Sequence, residues 1–319
     1  MSSFRGRILV VRGGAIGDFI LTLPAIAALR RQFPEAYLEV LGYPHIVQLA
    51  LAGRLVDRVQ FIEARPLAGF FARNGELAEH MRDYFSDFDL IVSYLYDPDE
   101  IFKQNVCRCT TAQFIAGPHR PNEALGLHAT QAFLQPLERL AIFEADPVPR
   151  LVLDSQSATL NHLALMPGSG SPRKNWPESR WAELIQRLID TSAWQLLLVG
   201  AEAEAERLQR LAAALPPARF LLARSLPLTQ LGSLLQSCAA FIGHDSGIAH
   251  LAAALGLPGL VLWADAPEAV WRPPSAKVRV LRHPTGLANL PTATVLAELA
   301  TLAQQAQPRK NSPKAALAP

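Results

Sequence analysis

The sequence predicts an α/β protein of two doubly wound domains facing a cleft. Three observations predict it. Apolar runs of strand length alternate with amphipathic runs of helix length along most of the chain, which implies parallel sheets with helices on both faces. The alternation breaks once, around residues 143–157, in the proline-bearing stretch EADPVPRLVLDSQSA, and then restarts. The 319 residues, half of them hydrophobic, exceed a typical single domain and can fill two cores. The halves show no close internal repeat, so they share architecture rather than sequence.

The elements follow in order. In the first half RILVVRG is a strand, residues 18–33 an amphipathic helix, YLEVLGY a strand, residues 45–52 a helix and RVQFIEA a strand. A helix over residues 74–85 leads to the strand DLIVSYLY, and QFIAGP is a short strand. In the second half the strands are LNHLALMPG, WQLLLVG, ARFLLA, CAAFIGH and PGLVLWA. The helices between them are ESRWAELIQRLIDT, AEAERLQRLAAAL, LTQLGSLLQSC and GIAHLAAALG, and residues 292–307 form a last helix. The expected domains are residues 1–150 and 151–307. Residues 308–319, basic and without periodicity, read as a disordered tail. Ligands are expected outside the carboxyl ends of the strands, where the helices begin.

Formal net charge is +2, which argues against a nucleic-acid partner. Three cysteines, Cys107, Cys109 and Cys238, make no disulfide framework and point to a reducing cytoplasm. The opening MSSFRGRILVVRGG reads as a buried strand rather than a signal peptide, and no apolar stretch reaches the roughly 20 residues of a membrane span.

The densest motif is GHDSGIAHLAAALGLP, residues 243–258. A strand turning through Asp245-Ser246-Gly247 into a helix aims free backbone N–H groups and the positive end of the helix dipole at one point, a ready diphosphate cradle. Asp245 or Ser246 can equally serve as a plain helix cap. His250 lies one turn into that helix and can donate to a phosphate or pack under the loop; His244 is less clear, and neither has the spacing of a zinc site.

In the first half GGAIGDFILTLP joins strand to helix. Gly13, Gly14 and Gly17 allow a tight turn and a close approach to a ligand or the opposite domain. The spacing is G-G-x-x-G, not the dinucleotide G-x-G-x-x-G, and LGYP at the end of the second strand carries no acid for a ribose. Asp18 has two readings: a helix cap, or a carboxylate at the cleft that accepts a proton from a hydroxyl.

In MPGSGSPRKNWPESRW, Ser169 and Gly170 belong to a small loop of hydroxyl and N–H donors, and Lys174 can meet a phosphate as a point charge; Trp181 packs helix on sheet. Glu202, Glu204 and Glu206 suit a helix start without any further role, although a ribose can use one of them. Asp97-Pro98-Asp99 matches the D-x-D of metal-using sugar transferases but also suits a simple turn.

Taken in order, G-x-x-G-D with Thr22-Leu23-Pro24, K-x-W-P at Lys174, Trp176 and Pro177, V-G-x-x-x-E, and G-x-D-S-G-x-x-H resemble glycosyltransferase family 9, the family of the ADP-heptose:lipopolysaccharide heptosyltransferases. The resemblance implies a GT-B fold of two Rossmann-like domains, the second holding the donor. It implies inverting transfer from a nucleotide sugar, ADP-heptose, to a glycolipid or oligosaccharide acceptor, with no metal and no cofactor. By the same resemblance Asp18 is the general base, Ser169 and Lys174 contact phosphate, and Glu204 (or Glu202, if the loop slips) holds the ribose. Leu226 lies beside the adenine, and Asp245, Ser246 and Gly247 meet the sugar and diphosphate, with Lys174 and Asp245 on opposite sides of the donor. The family often reads G-P-T-D-P where this chain has Trp263-Ala264-Asp265-Ala266-Pro267. A cytoplasmic enzyme with peripheral inner-membrane contact is expected. The rival readings are a nucleotide-sugar epimerase of the same shape and a non-catalytic nucleotide-sugar binding protein.

Overall fold

The computed structural model describes residues 4–153, 161–213 and 215–306. The expected tail at 308–319, the end of the last predicted helix and part of the predicted linker lie outside the described residues.

The first half runs β1 (Arg7–Arg12), α1 (Ile16–Gln32), β2 (Tyr37–Gly42), α2 (Pro44–Ala52), β3 (Arg58–Phe61), α3 (Glu79–Ser86), β4 (Leu90–Ser93), α4 (Ile101–Cys107), β5 (Gln113–Ala116) and α5 (Ala129–Leu134). The sheet order is β3-β2-β1-β4-β5, all parallel, with Val10 paired to Val40 on one side and Val92 on the other. Helices cover both faces, which is why Ile8, Leu9, Val10 and Val11 are all apolar and fully buried. The winding reverses between β1 and β4, so the crevice at their carboxyl ends is a switch point.

The second half runs β6 (His162–Met166), α6 (Glu178–Thr191), β7 (Gln195–Gly200), α7 (Ala205–Ala212), β8 (Phe220–Arg224), α8 (Leu228–Gln236), β9 (Ala240–His244), α9 (Gly247–Ala254), β10 (Gly259–Leu262), α10 (Glu268–Trp271), β11 (Val278–Leu281) and α11 (Thr292–Ala306). Its parallel sheet is ordered β11-β10-β9-β6-β7-β8. Here the winding reverses between β6 and β9, and the loops after these two strands carry Ser169 to Lys174 and Asp245 to Gly247. Both halves are therefore doubly wound, α/β and Rossmann-like.

Several expectations shift. The helix predicted over 74–85 begins only at Glu79; residues Arg65–Phe71 form a 3-10 helix, and Gly75 lies against the Gly69 backbone. The helix expected to begin at Asp18 begins at Ile16. Short α4, α5 and α10, and strand β11, were not expected: four to seven residues are too few to show a period. The predicted linker is tied down where it is described. The Leu151 N–H donates to Ala254 O at 2.9 Å, and Leu153 exchanges two hydrogen bonds with the Gln236 amide.

One buried apolar cluster spans both halves, joining Phe19, Leu23 and Ile26 of α1 to Ala249 and Leu251 of α9 and to Leu231 and Leu235 of α8. Trp181, as expected, is fully buried between helix and sheet.

Candidate active site

The two switch points open into one cleft of about 1150 Å³. Gly13, Gly14, Gly17 and Asp18 line it from the first half, and Ser169, Lys174, Asp245, Ser246, Gly247 and His250 from the second. Gly170, Glu204 and Leu226 stand outside this lining.

The first wall is built by the turn after β1. Gly14 adopts φ +97°, and a Cβ there would meet Asp18 Oδ2 at 2.9 Å. Glycine is thus required both by the backbone and by the carboxylate above it. Asp18 is the third residue of α1. Its Oδ2 accepts the Ala15 N–H at 3.0 Å, while Oδ1 lies 3.9 Å from Arg12 Nη2. One oxygen accepts a main-chain N–H at the start of α1, and the other faces Arg12.

The second wall is the start of α9. Ser246 is its N-cap, with Oγ accepting the Ala249 N–H at 3.3 Å. The first-turn N–H groups beyond it have no partner within the helix and carry the positive dipole end. The two walls touch. A Cβ on Gly247 would meet Ile16 Cβ at 2.7 Å and Gly17 N at 2.9 Å, so the N-termini of α1 and α9 abut through glycine.

Lys174 and Asp245 are not placed on opposite sides of a ligand site. The ammonium hydrogen-bonds to Asp245 Oδ2, and the aspartate is 8% exposed. The reason is a short ring of contacts. Asp245 follows His244, whose Nε2 accepts the Trp176 N–H at 2.8 Å, and Trp176 stands two residues after Lys174. The acceptor role at Nε2 puts the His244 proton on Nδ1, which faces the Gly168 and Met166 carbonyls without closing a well-formed hydrogen bond. Burial pushes the His244 imidazole down to about 4, so it is neutral. Burial likewise takes His250 down to about 4, against the opposing pull of Asp245. A neutral His250 brings no positive charge to the cleft.

Ser169 is engaged in its own loop, its Oγ lying 2.7 Å from Asn175 Oδ1 and 2.9 Å from Ser171 O. Gly170 is at the loop tip with φ +72° and open space around it. Glu204 repeats the device of Asp18: it is third in a 3-10 turn, and its Oε2 accepts the Ala201 N–H at 3.0 Å. It is half-buried against Gly168, whereas Glu202 is exposed. Leu226 follows the carboxyl end of β8, where the Ser225 N–H bonds to Gly200 O at 3.1 Å.

The sequence singled out neither Arg12 nor the aromatic rim. Arg12 ends β1 and is 2% exposed. Tyr43, Tyr96 and His119 line the wall of the first half, and Asp265 and Ala266 that of the second. Trp271 of α10 bridges the halves. Its Nε1 donates to Glu123 Oε1 at 2.9 Å, and the Arg120 guanidinium lies 5.1 Å over its ring. The only sequence signal for Arg12 was a charge at the end of an otherwise apolar strand.

The D-x-D pair is occupied otherwise. Asp97 accepts the N–H groups of Phe102 and Lys103, capping α4, and Asp99 pairs with Arg73 at 3.0 Å. Among the described residues no cluster of three or more potential ligands could hold a metal ion. Among the described residues, no helix is long and apolar enough to cross a membrane.

The model of glycosyltransferase family 9 (heptosyltransferase) matches residues 143–299. The chain is 29% identical over 293 residues to lipopolysaccharide heptosyltransferase 1 of Pseudomonas aeruginosa, covering 81% of this chain and 78% of that one. Its fold is similar to that of a family 9 glycosyl transferase from Veillonella parvula, with a TM-score of 0.78 and 18% identity over 96% of this chain and 99% of the other. It is also similar to Escherichia coli ADP-heptose lps heptosyltransferase II, with a TM-score of 0.77 and 21% identity over 94% and 99%. With the doubly wound halves and the motif order, these likenesses lead to one conclusion: the chain belongs to glycosyltransferase family 9 and is a glycosyltransferase of the GT-B fold.

Proposed function

We propose that the enzyme transfers heptose, with inversion and without a metal ion, from ADP-heptose to a lipopolysaccharide or related surface-glycan acceptor, working in the cytoplasm with peripheral contact to the inner membrane. The names of its relatives support the sugar and the acceptor. The observation that carries the chemistry is the meeting of Asp18 with the N-terminus of α9 in one cleft.

An acceptor hydroxyl attacks the anomeric carbon from the face opposite the nucleotide. The new bond forms from oxygen to carbon as the carbon–phosphate-oxygen bond breaks, its electron pair leaving on the diphosphate. Asp18 Oδ1 takes the hydroxyl proton as the bond forms. The leaving charge is met by the first-turn N–H groups of α9 and by Lys174, which Asp245 holds beside them. Ser169 and Gly170 shape the loop over the phosphates. Glu204 takes the ribose, and Leu226 flanks the adenine along the ends of β7 and β8.

Incubating the purified protein with ADP-heptose and a heptose-free lipopolysaccharide acceptor, in excess EDTA, tests this reading. ADP release that depends on acceptor and persists in chelator supports it. Conversion of the donor without acceptor would make the protein an epimerase, and donor binding without any product would make it a binding protein. Activity lost in EDTA and restored by magnesium or manganese would overturn the metal-free mechanism.

A further inference from the structure

Arg12 is a charged side chain in a place that seldom holds one. It ends the central strand of the first sheet and is 2% exposed. Its Nη1 donates to two main-chain carbonyls, Tyr94 O at 3.0 Å and His119 O at 2.9 Å. The guanidinium lies 4.7 Å from the centre of the Phe133 ring. Its Nε and Nη2 are buried without a hydrogen-bond partner, and Asp18 Oδ1 is 3.9 Å from Nη2. Burial lowers the Arg12 pKa, and Asp18 is the largest influence opposing that shift. An arginine nevertheless stays charged in proteins.

A cation kept in the interior at this cost needs a use, since an uncompensated buried charge is strongly destabilising. We infer that Arg12 is a positioning residue for the base, fixing the Asp18 carboxylate and joining it to the wall of the acceptor side. The inference rests on the reading of Asp18 as the base. Asp18 Oδ2 is tied to the Ala15 N–H, and the charge of Arg12 sits on the side of Oδ1. At 3.9 Å, Nη2 is too far to take an Oδ1 lone pair in a hydrogen bond, yet near enough to hold the carboxylate by charge. Oδ1 thus keeps a lone pair for the incoming proton. The same guanidinium holds the main chain at Tyr94 and His119, which both line the cleft. One side chain therefore sets the distance between the base and the surface that presents the hydroxyl.

A double-mutant cycle tests this: Arg12→Lys, Asp18→Asn and the pair, with kcat from initial rates, donor affinity by calorimetry and folding by circular dichroism. Lysine keeps the charge but cannot serve both carbonyls and face Asp18 at once. We expect Arg12→Lys to lower kcat by about ten- to a hundredfold, with donor affinity within about twofold of wild type. In the Asp18→Asn background the same change should alter the residual rate by less than about twofold, because the group through which it acts is gone. Equal losses of kcat in both backgrounds, or a loss confined to donor affinity, would overturn the inference while leaving Asp18 as the base. An Asp18→Asn enzyme of near wild-type rate would remove the base itself and the inference with it. If Arg12→Lys does not fold, Arg12→Gln takes its place in the cycle, with the same non-additivity expected.

Discussion

Lys174 and Asp245, 71 residues apart in sequence, form a hydrogen-bonded ion pair on the second-half wall of the cleft. On the proposed reading, removing the lysine alone leaves the Asp245 carboxylate unpaired beside the diphosphate. Lys174→Ala should weaken both ADP and ADP-heptose by about ten- to a hundredfold, the size of a lost charge-assisted contact. The double variant Lys174→Ala, Asp245→Ala should recover part of that loss for ADP, since the repelling carboxylate is gone. Calorimetric titration of both variants decides it. A double variant that binds ADP more weakly than Lys174→Ala would mean that Asp245 contacts the ligand directly rather than through the lysine.

Asp18→Asn should fold, bind donor and lose turnover by about 10²–10⁴-fold. Asparagine can still accept the Ala15 N–H through its amide oxygen, so the cap at the start of α1 survives. Rates and thermal melts measured side by side separate a capping role from a catalytic one. A variant that keeps more than about a tenth of the wild-type rate would leave Asp18 with its capping role only.

Two buried histidines set an acid limit to stability. His244 and His250 take up protons near pH 6.5 in the unfolded chain but only near pH 4 in the folded one. Between these values the unfolded state binds more protons, so stability is full above pH 6.5 and falls as pH drops toward 4, by about 3 kcal/mol for each histidine. His244→Gln keeps an acceptor for the Trp176 N–H and does not titrate. Urea unfolding of this variant at pH 7 and pH 4.5 should show a clearly shallower decline than wild type. Parallel declines would show that His244 is not the titrating group.

Gly247 and Gly17 face each other but should respond differently to alanine. A Cβ on Gly247 runs into Ile16 Cβ and the Gly17 backbone, which cannot yield without parting the two halves; overpacking of this kind costs about 1–3 kcal/mol. A Cβ on Gly17 makes ordinary contacts, 3.5 Å to His250 Cδ2 and 3.6 Å to Gly247 Cα. Gly17→Ala should be neutral, or stabilising by up to about 1 kcal/mol from helix propensity. Urea denaturation of the two variants checks the asymmetry, and equal effects would refute the packing argument.

Both sheets, most of their helices and the cleft at the strand ends were legible in the sequence, because buried parallel strands leave unbroken apolar runs such as ILVV and LLLV. The short helices α4 and α5 were not, since they are held by caps and packing rather than by a period. Asp18, Lys174, Asp245 and Gly247, which the structure brings to one cleft, stood out because each follows a strand within a small, glycine-bearing segment. Their pairing was hidden: the Lys174–Asp245 contact depends on His244 reaching the Trp176 N–H, a relation between two loops that no local pattern contains. Arg12 was passed over for a similar reason. Its partners, Tyr94, His119 and Phe133, come from two distant loops and a helix.

Two helices that touch through glycine put two N-termini at main-chain distance, with a shared apolar cluster beneath them. Asp18 and Ser246 are the immediate neighbours of the two glycines, and both line the cleft. The spacing between their positions is therefore set by main chain rather than by side chains that can change rotamer. On the proposed reading, a proton acceptor and a leaving-group cradle held in this way keep their separation through each turnover.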